Sequence, residues 1–100
     1  MILMDFTTLL QTRRSYRAFQ PVSITTHIKT KLAQAAQLMP SCYNNQPWRF
    51  VFVDKDPYLR YLKDSALSNG NQWAKASSMI IAVFSKPQLD CQIDDRDYYL

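Results

Sequence analysis

Glycine is almost missing from this chain of 100 residues: Gly70 is the only one. A dinucleotide-binding fingerprint and a Walker A loop each need several glycines, for tight turns and for close approach of backbone to phosphate. Neither exists here, so any phosphate must be held by side chains. Cysteine is scarce as well. Cys42 and Cys91 stand far apart, with no C-x-x-C pair and no secretory leader. This usage leads us to expect two unstapled thiols and a reducing cytoplasm. Long apolar runs are missing too. The opening Met1-Ile2-Leu3-Met4 meets acidic Asp5 at once, which is too short and wrongly flanked for a signal peptide. No run approaches the roughly 18–20 residues of a membrane span.

What is present is an ordinary globular balance. Apolar residues make up 47% and charged residues 20%, which argues against disorder. The length allows at most one domain, so residues 1–100 are expected to carry no internal boundary. A chain this short buries only about 60–65% of its unfolded surface, a deficit that an oligomer or a bound cofactor could supply. The net charge of +4 points to an anionic ligand but is too small to demand nucleic acid.

Residues 5–12 read as a short helix, capped by Asp5, with Phe6, Leu9 and Leu10 as an apolar stripe. Residues 16–22 should be extended, because Pro21 discourages helix before it. A second helix is expected from Thr25 or Thr26 to about Met39. Ile28, Leu32, Ala35, Ala36 and Met39 recur on one face, and Lys29, Lys31 and Gln34 lie on the other. Residues 47–53 read as a strand with both faces at least half covered. Asp56-Pro57 reads as an N-cap followed by proline at the first helical position, opening a helix to about Leu67. Residues 69–76 read as a short helical turn and 79–84 as a buried strand. Asp94-Asp95 reads as the start of another helix, broken off by the end at Asp97-Tyr98-Tyr99-Leu100. Two strands make a poor sheet alone, so the composition says globular while the elements look incomplete.

Three clusters carry candidate chemistry. Arg13-Arg14-Ser15-Tyr16-Arg17 places three guanidinium groups and a hydroxyl within five residues. Arginine forks match a phosphate monoester with paired, charge-assisted hydrogen bonds. In an extended stretch Arg13, Ser15 and Arg17 share one face, while Arg14 points away or reaches another part of the ligand. The bland alternative is a solvated basic helix end. The loop 40–48, Pro-Ser-Cys-Tyr-Asn-Asn-Gln-Pro-Trp, is rich in amide and hydroxyl groups that could read a heteroaromatic ring. Equally, those groups could satisfy their own turn. In Asn69-Gly70-Asn71-Gln72-Trp73, a helical backbone would put Asn69 and Gln72 on one face, facing the pyrimidine-like edge of a flavin. A capping turn before the next strand is the plain reading. His27 falls on the polar side of its helix and is expected at the surface. Cys42 has no basic immediate neighbour to activate a thiol.

Taken together, Arg-Arg-Ser-Tyr-Arg-Ala-Phe, an amphipathic helix, and Pro-Ser-x-x-Asn-x-Gln-Pro-Trp-Arg-Phe-Val-Phe-Val strongly resemble the opening of the nitroreductase superfamily. The Asn-Gln-Trp-Ala-Lys-Ala-x-x-Met-Ile-Ile segment is also similar to that family. The resemblance implies an α+β fold, helices around a central, mainly antiparallel sheet, of which this chain holds an incomplete N-terminal portion. It implies a homodimer with FMN at the subunit interface. Arg13, Arg14, Ser15 and Arg17 would bind the phosphate and ribityl end. Asn69 and Gln72 would meet the ring from the same subunit. Ser41, Cys42 and Asn44 would approach it from the partner subunit, and Gln46 would support their loop.

The implied activity is that of an FMN oxidoreductase. It would take reducing equivalents from NADH or NADPH in a ping-pong cycle and pass them to a nitroaromatic, a quinone or a similar electron-poor acceptor. No catalytic acid or base, no metal, no membrane and no nucleic acid partner is implied. Family members run to roughly twice this length. One alternative is therefore a truncated, non-catalytic remnant of such an enzyme. Another is a small basic module for anions or nucleic acid, although three arginines come with no exposed aromatic series for bases to stack on.

Overall fold

The structure, a computed structural model, describes residues 3–97. The features expected at Met1-Ile2 and at Tyr98-Tyr99-Leu100 lie outside the described residues. Helix α1 spans Phe6–Thr12, and the Asp5 carboxylate caps it by accepting from the Thr8 backbone N–H at 2.8 Å. This bond holds the Asp5 carboxyl below the usual carboxylate range. The expected stripe of α1 faces open surface: Phe6 is 71% exposed and Leu10 62%.

Helix α2 spans Thr26–Gln37, with the Thr25 hydroxyl accepting from the Ile28 N–H at 3.2 Å. It stops short of the expected Met39. The N–H groups of Leu38 and Met39 bond three residues back, to Ala35 and Ala36. This tightens the last turn before Pro40, which cannot continue it. Ile28, Ala33 and Ala36 are half-buried, but so is Lys29, contrary to its expected place on the outer face. Lys29 turns inward because its ammonium pairs with the Asp54 carboxylate at 2.9 Å, tying α2 to the end of the first strand.

Strands β1 (Trp48–Val53) and β2 (Ile80–Ser85) pair antiparallel, with Phe50 opposite Val83 and Phe52 opposite Ile81. Phe50 and Phe52 are half-buried, whereas Arg49 and Val51 are exposed. The expectation that both faces are covered is therefore corrected. Helix α2 lies along the side of Phe50 and Phe52, while the side of Val51 and Val53 faces Tyr58, Tyr61 and Leu62 only across a groove. Likewise β2 is not a buried strand: Val83 and Phe84 are 60% and 56% exposed.

Helix α3 spans Tyr58–Ser65 and seats Leu59 in the interior. Pro57 is its cap residue rather than its first helical residue, and it follows a cis Asp56–Pro57 bond. Asp56 still serves the helix start, accepting from the Arg60 N–H at 3.2 Å. Residues Asn69–Ala76 form 3₁₀ turns with a break at Asn71. Short strands β3 (Gln92–Ile93) and β4 (Arg96–Asp97) make a hairpin. Asp94 and Asp95, expected to open a helix, instead form its two-residue turn, with φ of 50° and 62°. Aspartate tolerates the left-handed backbone that such a hairpin turn demands.

The second correction of substance concerns the cysteines. Cys42 and Cys91 form a disulfide across 49 residues of sequence. Spacing alone could not reveal this, because the two residues meet only once β1 and β2 have paired. Around it lies the best-buried part of the molecule: Pro47, with less than 2% of its surface exposed, Asp90 and Cys91. Elsewhere burial is thin. The radius of gyration is 16.4 Å, against about 13 Å for a compact domain of this size.

Candidate functional site

Beyond α1 the chain is non-helical and exposed through residues 13–20, with a bend at Arg17. An Arg13 guanidinium N–H donates to the Ser15 hydroxyl at 3.1 Å, so these two side chains do share a face. Arg14 turns the other way. Its Nη1 donates to the carbonyls of Gln11 and Arg13, both at 2.9 Å, where it satisfies the C-terminal end of α1. Arg17 lies with its Cζ 5.9 Å from the centroid of the Trp73 ring. Phe19 packs on the same indole, with ring centroids 5.8 Å apart. Further on, the Val22 N–H donates to the Ser78 hydroxyl at 3.0 Å. Residues 17–22 therefore run beside residues 73–78, so Arg17 alone of the cluster meets the segment that follows Asn69–Gln72, while Arg13 and Arg14 bond within residues 11–15.

The ion pairs seen among the described residues are Lys29–Asp54 and Arg60–Asp56. Neither draws on Arg13, Arg14 or Arg17, so no carboxylate among the described residues forms an ion pair with the cluster. In the turn itself, Asn69 is exposed. The Gln72 amide donates to the carbonyls of Leu67 and Ser68 at 3.2 and 3.1 Å. Its donor side is spent on backbone, and the break at Asn71 interrupts the regular helix assumed for its shared face with Asn69. The Trp73 indole N–H donates to Asn71 at 3.3 Å, and Asn71 donates to the Ser68 hydroxyl at 2.8 Å. This short chain of bonds fixes the indole that Arg17 covers.

The loop 41–46 is a different kind of structure. Tyr43, Asn44 and Gln46 all have left-handed backbone, with φ of 51°, 55° and 50°. The Ser41 hydroxyl accepts from the Gln46 N–H at 3.0 Å, and the Gln46 side-chain amide donates to the Asn44 oxygen at 3.0 Å. Ser41, Asn44 and Gln46 thus bond to one another within the loop. Cys42 presents no thiol, being joined to Cys91. The Asn45 amide lies 3.8 Å from the Cys91 sulfur and donates to it, and the Lys86 N–H donates to the Pro47 carbonyl at 2.7 Å. These bonds bind the loop to the segment after β2, not to the arginines.

Sequence reasoning missed Trp73 as the platform for Arg17. It also missed Ser78, Asn45 and Cys91. All four act across long separations, and no local spacing signals them. Two grooves flank β1. One, of about 270 Å³, runs between α2 and β1, where Ala36, Met39, Trp48 and Phe50 line it; the other, of about 430 Å³, lies against Tyr58 and Tyr61. Neither is lined by residues 13–17. At the junction of α2 and β1, the hydrogen bond from Lys29 holds the Asp54 carboxyl below its ordinary range. Among the described residues no group of three or more His, Cys, Asp or Glu side chains could hold a metal, and no helix is long and apolar enough to cross a membrane.

The family model for the nitroreductase family matches residues 10–90. YdgI of Bacillus subtilis, which bears the name of an NAD(P)H nitroreductase, is 37% identical over 82 residues. The match covers 81% of this chain and 39% of that protein. A protein of Archaeoglobus fulgidus, named for NADH dehydrogenase and NAD(P)H nitroreductase activity, is 33% identical over 81 residues, 81% of this chain and 45% of its own. A crystal structure from Exiguobacterium sibiricum, described as a nitroreductase in complex with FMN, superposes with a TM-score of 0.74 at 33% identity, over 89% of this chain and 42% of that one. An NAD(P)H:FMN oxidoreductase structure from Staphylococcus epidermidis gives the same TM-score at 26% identity, over 87% and 41%. The chain spans about two-fifths of the length of the relatives it matches.

Proposed function

The chain belongs to the nitroreductase family, and from that premise we propose that it is the phosphate-gripping N-terminal portion of an FMN-dependent NAD(P)H oxidoreductase. Arg13 and Arg17, with Ser15 between them, hold the dianionic tail of the flavin. Arg14 stays at the helix end or swings to the ribityl chain. The observation that supports this reading is Arg17 lying over the Trp73 ring, which brings one arginine of the cluster to the segment that carries Asn69 and Gln72. FMN fits these residues: the donors are guanidinium and hydroxyl groups suited to a phosphate monoester, and the neighbouring amides are neutral.

Within a homodimer, Ser41, Cys42 and Asn44 approach the ring bound by the partner subunit, with Gln46 bracing their loop. The flavin, once bound, supplies two-electron transfer from NADH or NADPH to an acceptor such as a nitroaromatic or a quinone. The protein's share is grip, orientation and field. Cytoplasmic residence belongs to the same reading through the family alone, since the two cysteines are joined and no longer argue for a reducing compartment.

The test is a chimera in which residues 10–90 replace the matched portion of the Bacillus subtilis relative. It is expected to purify yellow and to bleach with NADH or NADPH. Residues 1–100 alone are expected to bind FMN weakly or not at all. A chimera that folds without flavin would overturn the proposal and favour a non-catalytic remnant. Flavin carried by the isolated chain through gel filtration at near one equivalent would overturn the expected division of the site.

A further inference from the structure

The Cys42–Cys91 disulfide stands at an unusual junction. One sulfur belongs to a loop with three left-handed non-glycine residues, and the other lies in the buried segment after β2. Left-handed backbone at such residues costs energy and persists only where the surroundings enforce it. The hydrogen bonds inside loop 41–46 are mostly its own. Its ties to the rest of the molecule include the disulfide, the Asn45 bond to Cys91 and, at its C-terminal end, the Arg49 guanidinium donating to the Gln46 carbonyl at 2.9 Å.

We propose that this disulfide is a reducible latch: thiol–disulfide exchange at Cys42 with a small thiol frees loop 41–46 from the segment after β2. Cys42 is half-buried while Cys91 is 8% exposed, so an incoming thiolate reaches the Cys42 sulfur. Its attack forms a mixed disulfide on Cys42, and Cys91 departs as a thiolate. Asn45 donates to that leaving sulfur. A second small thiolate then attacks the outer sulfur of the mixed disulfide. Cys42 leaves as a thiolate, a small-molecule disulfide departs, and both cysteines take protons from solvent. Two small thiols are oxidised and one protein disulfide is reduced.

Reduction does not release the strand beneath. Pro47 is the most buried side chain, and the Lys86 N–H to Pro47 carbonyl bond and the β1–β2 register do not pass through sulfur. The loop is therefore the part that moves. Resting on the proposed function, the latch would set how the partner-facing residues Ser41 and Asn44 meet a flavin ring.

The experiment uses the whole 100-residue chain and needs no flavin. Purified without reductant and denatured, it should show no titratable thiol. Dithiothreitol should raise amide exchange over residues 42–46 by about tenfold or more, as expected for a locally opened segment, and leave 48–53 and 80–85 unchanged. Cys91→Ser should reproduce the reduced pattern. Asn45→Ala should slow reduction several-fold with the oxidised loop still protected. Two free thiols in the untreated chain would overturn the proposal. So would loss of protection across β1 and β2, which marks a general staple, or no change in the loop. A chimera without flavin, alongside the expected exchange pattern, would count against the function and leave the latch supported.

Discussion

Two of the three stretches that carry the candidate ligand chemistry are built in opposite ways. Residues 13–22 are irregular and exposed, steadied by an indole under Arg17 and one bond from the Val22 N–H to the Ser78 hydroxyl. Residues 41–47 are wound through left-handed backbone, bonded internally and joined covalently to the best-buried part of the chain. A phosphate is a strong, nearly isotropic charge, so flexible guanidinium groups can close on it after it arrives. A flat ring is read by the positions of a few neutral amides, which must be set in advance. Under the proposed function, charge recognition would fall to adaptable side chains and shape recognition to fixed backbone.

The contrast can be broken most severely at the arginines. In the chimera, Arg13→Ala with Arg17→Ala should weaken FMN about 10³-fold, two charge-assisted bonds at roughly 1.5–3 kcal/mol each. Riboflavin, which lacks the phosphate, should change by less than about threefold on the same reasoning. Equal loss for both flavins, measured by fluorescence titration, would erase the assignment. A smaller effect is expected at the platform. Trp73→Leu should lower the FMN-to-riboflavin affinity ratio about threefold to fivefold, and Trp73→Phe should keep most of it, in line with a cation–π contact of about 0.5–1 kcal/mol.

The fixed loop answers to a different substitution. Tyr43 is 91% exposed, so its side chain contributes little burial. Tyr43→Gly should therefore stabilise the oxidised chain by about 0.5–1 kcal/mol in urea titration, by relieving left-handed strain. Ser15→Gly, in the extended segment, should bring no such gain. The smallest effect is one of pH. The folded-state pKa of Asp54 is lowered by its hydrogen bond from Lys29. Its contribution is present above the unfolded value of about 3.9 and is lost as pH falls through the lower folded value. Urea midpoints for wild type and Asp54→Asn should converge in that acid window and separate above it, whereas the arginine segment should show no matching change.

The local elements were legible where the signal was local. Asp5 and Thr25 announced their helices because a cap acts within three residues, and the strand at 48–53 announced itself by alternation. A continuous apolar run was where the reading overreached: residues 79–84 promised burial, yet Val83 and Phe84 lie exposed because nothing among the described residues covers them. Asp94-Asp95 has the composition of a helix start and of a hairpin turn alike, and only pairing of the flanking residues decides between them. Lys29 was misplaced because its partner, Asp54, lies 25 residues away. In the candidate site, the arginine cluster was visible from charge and spacing. Its neighbour Trp73 and the link from Cys42 to Cys91 were not, since both depend on how distant segments meet.

The most direct check is a crystal structure of the chimera grown with FMN. The phosphate oxygens should lie roughly 3 Å from guanidinium nitrogens of Arg13 and Arg17, with the ring beside Asn69 and Gln72. A phosphate held elsewhere, with residues 13–17 still in solvent, would contradict the account at its centre.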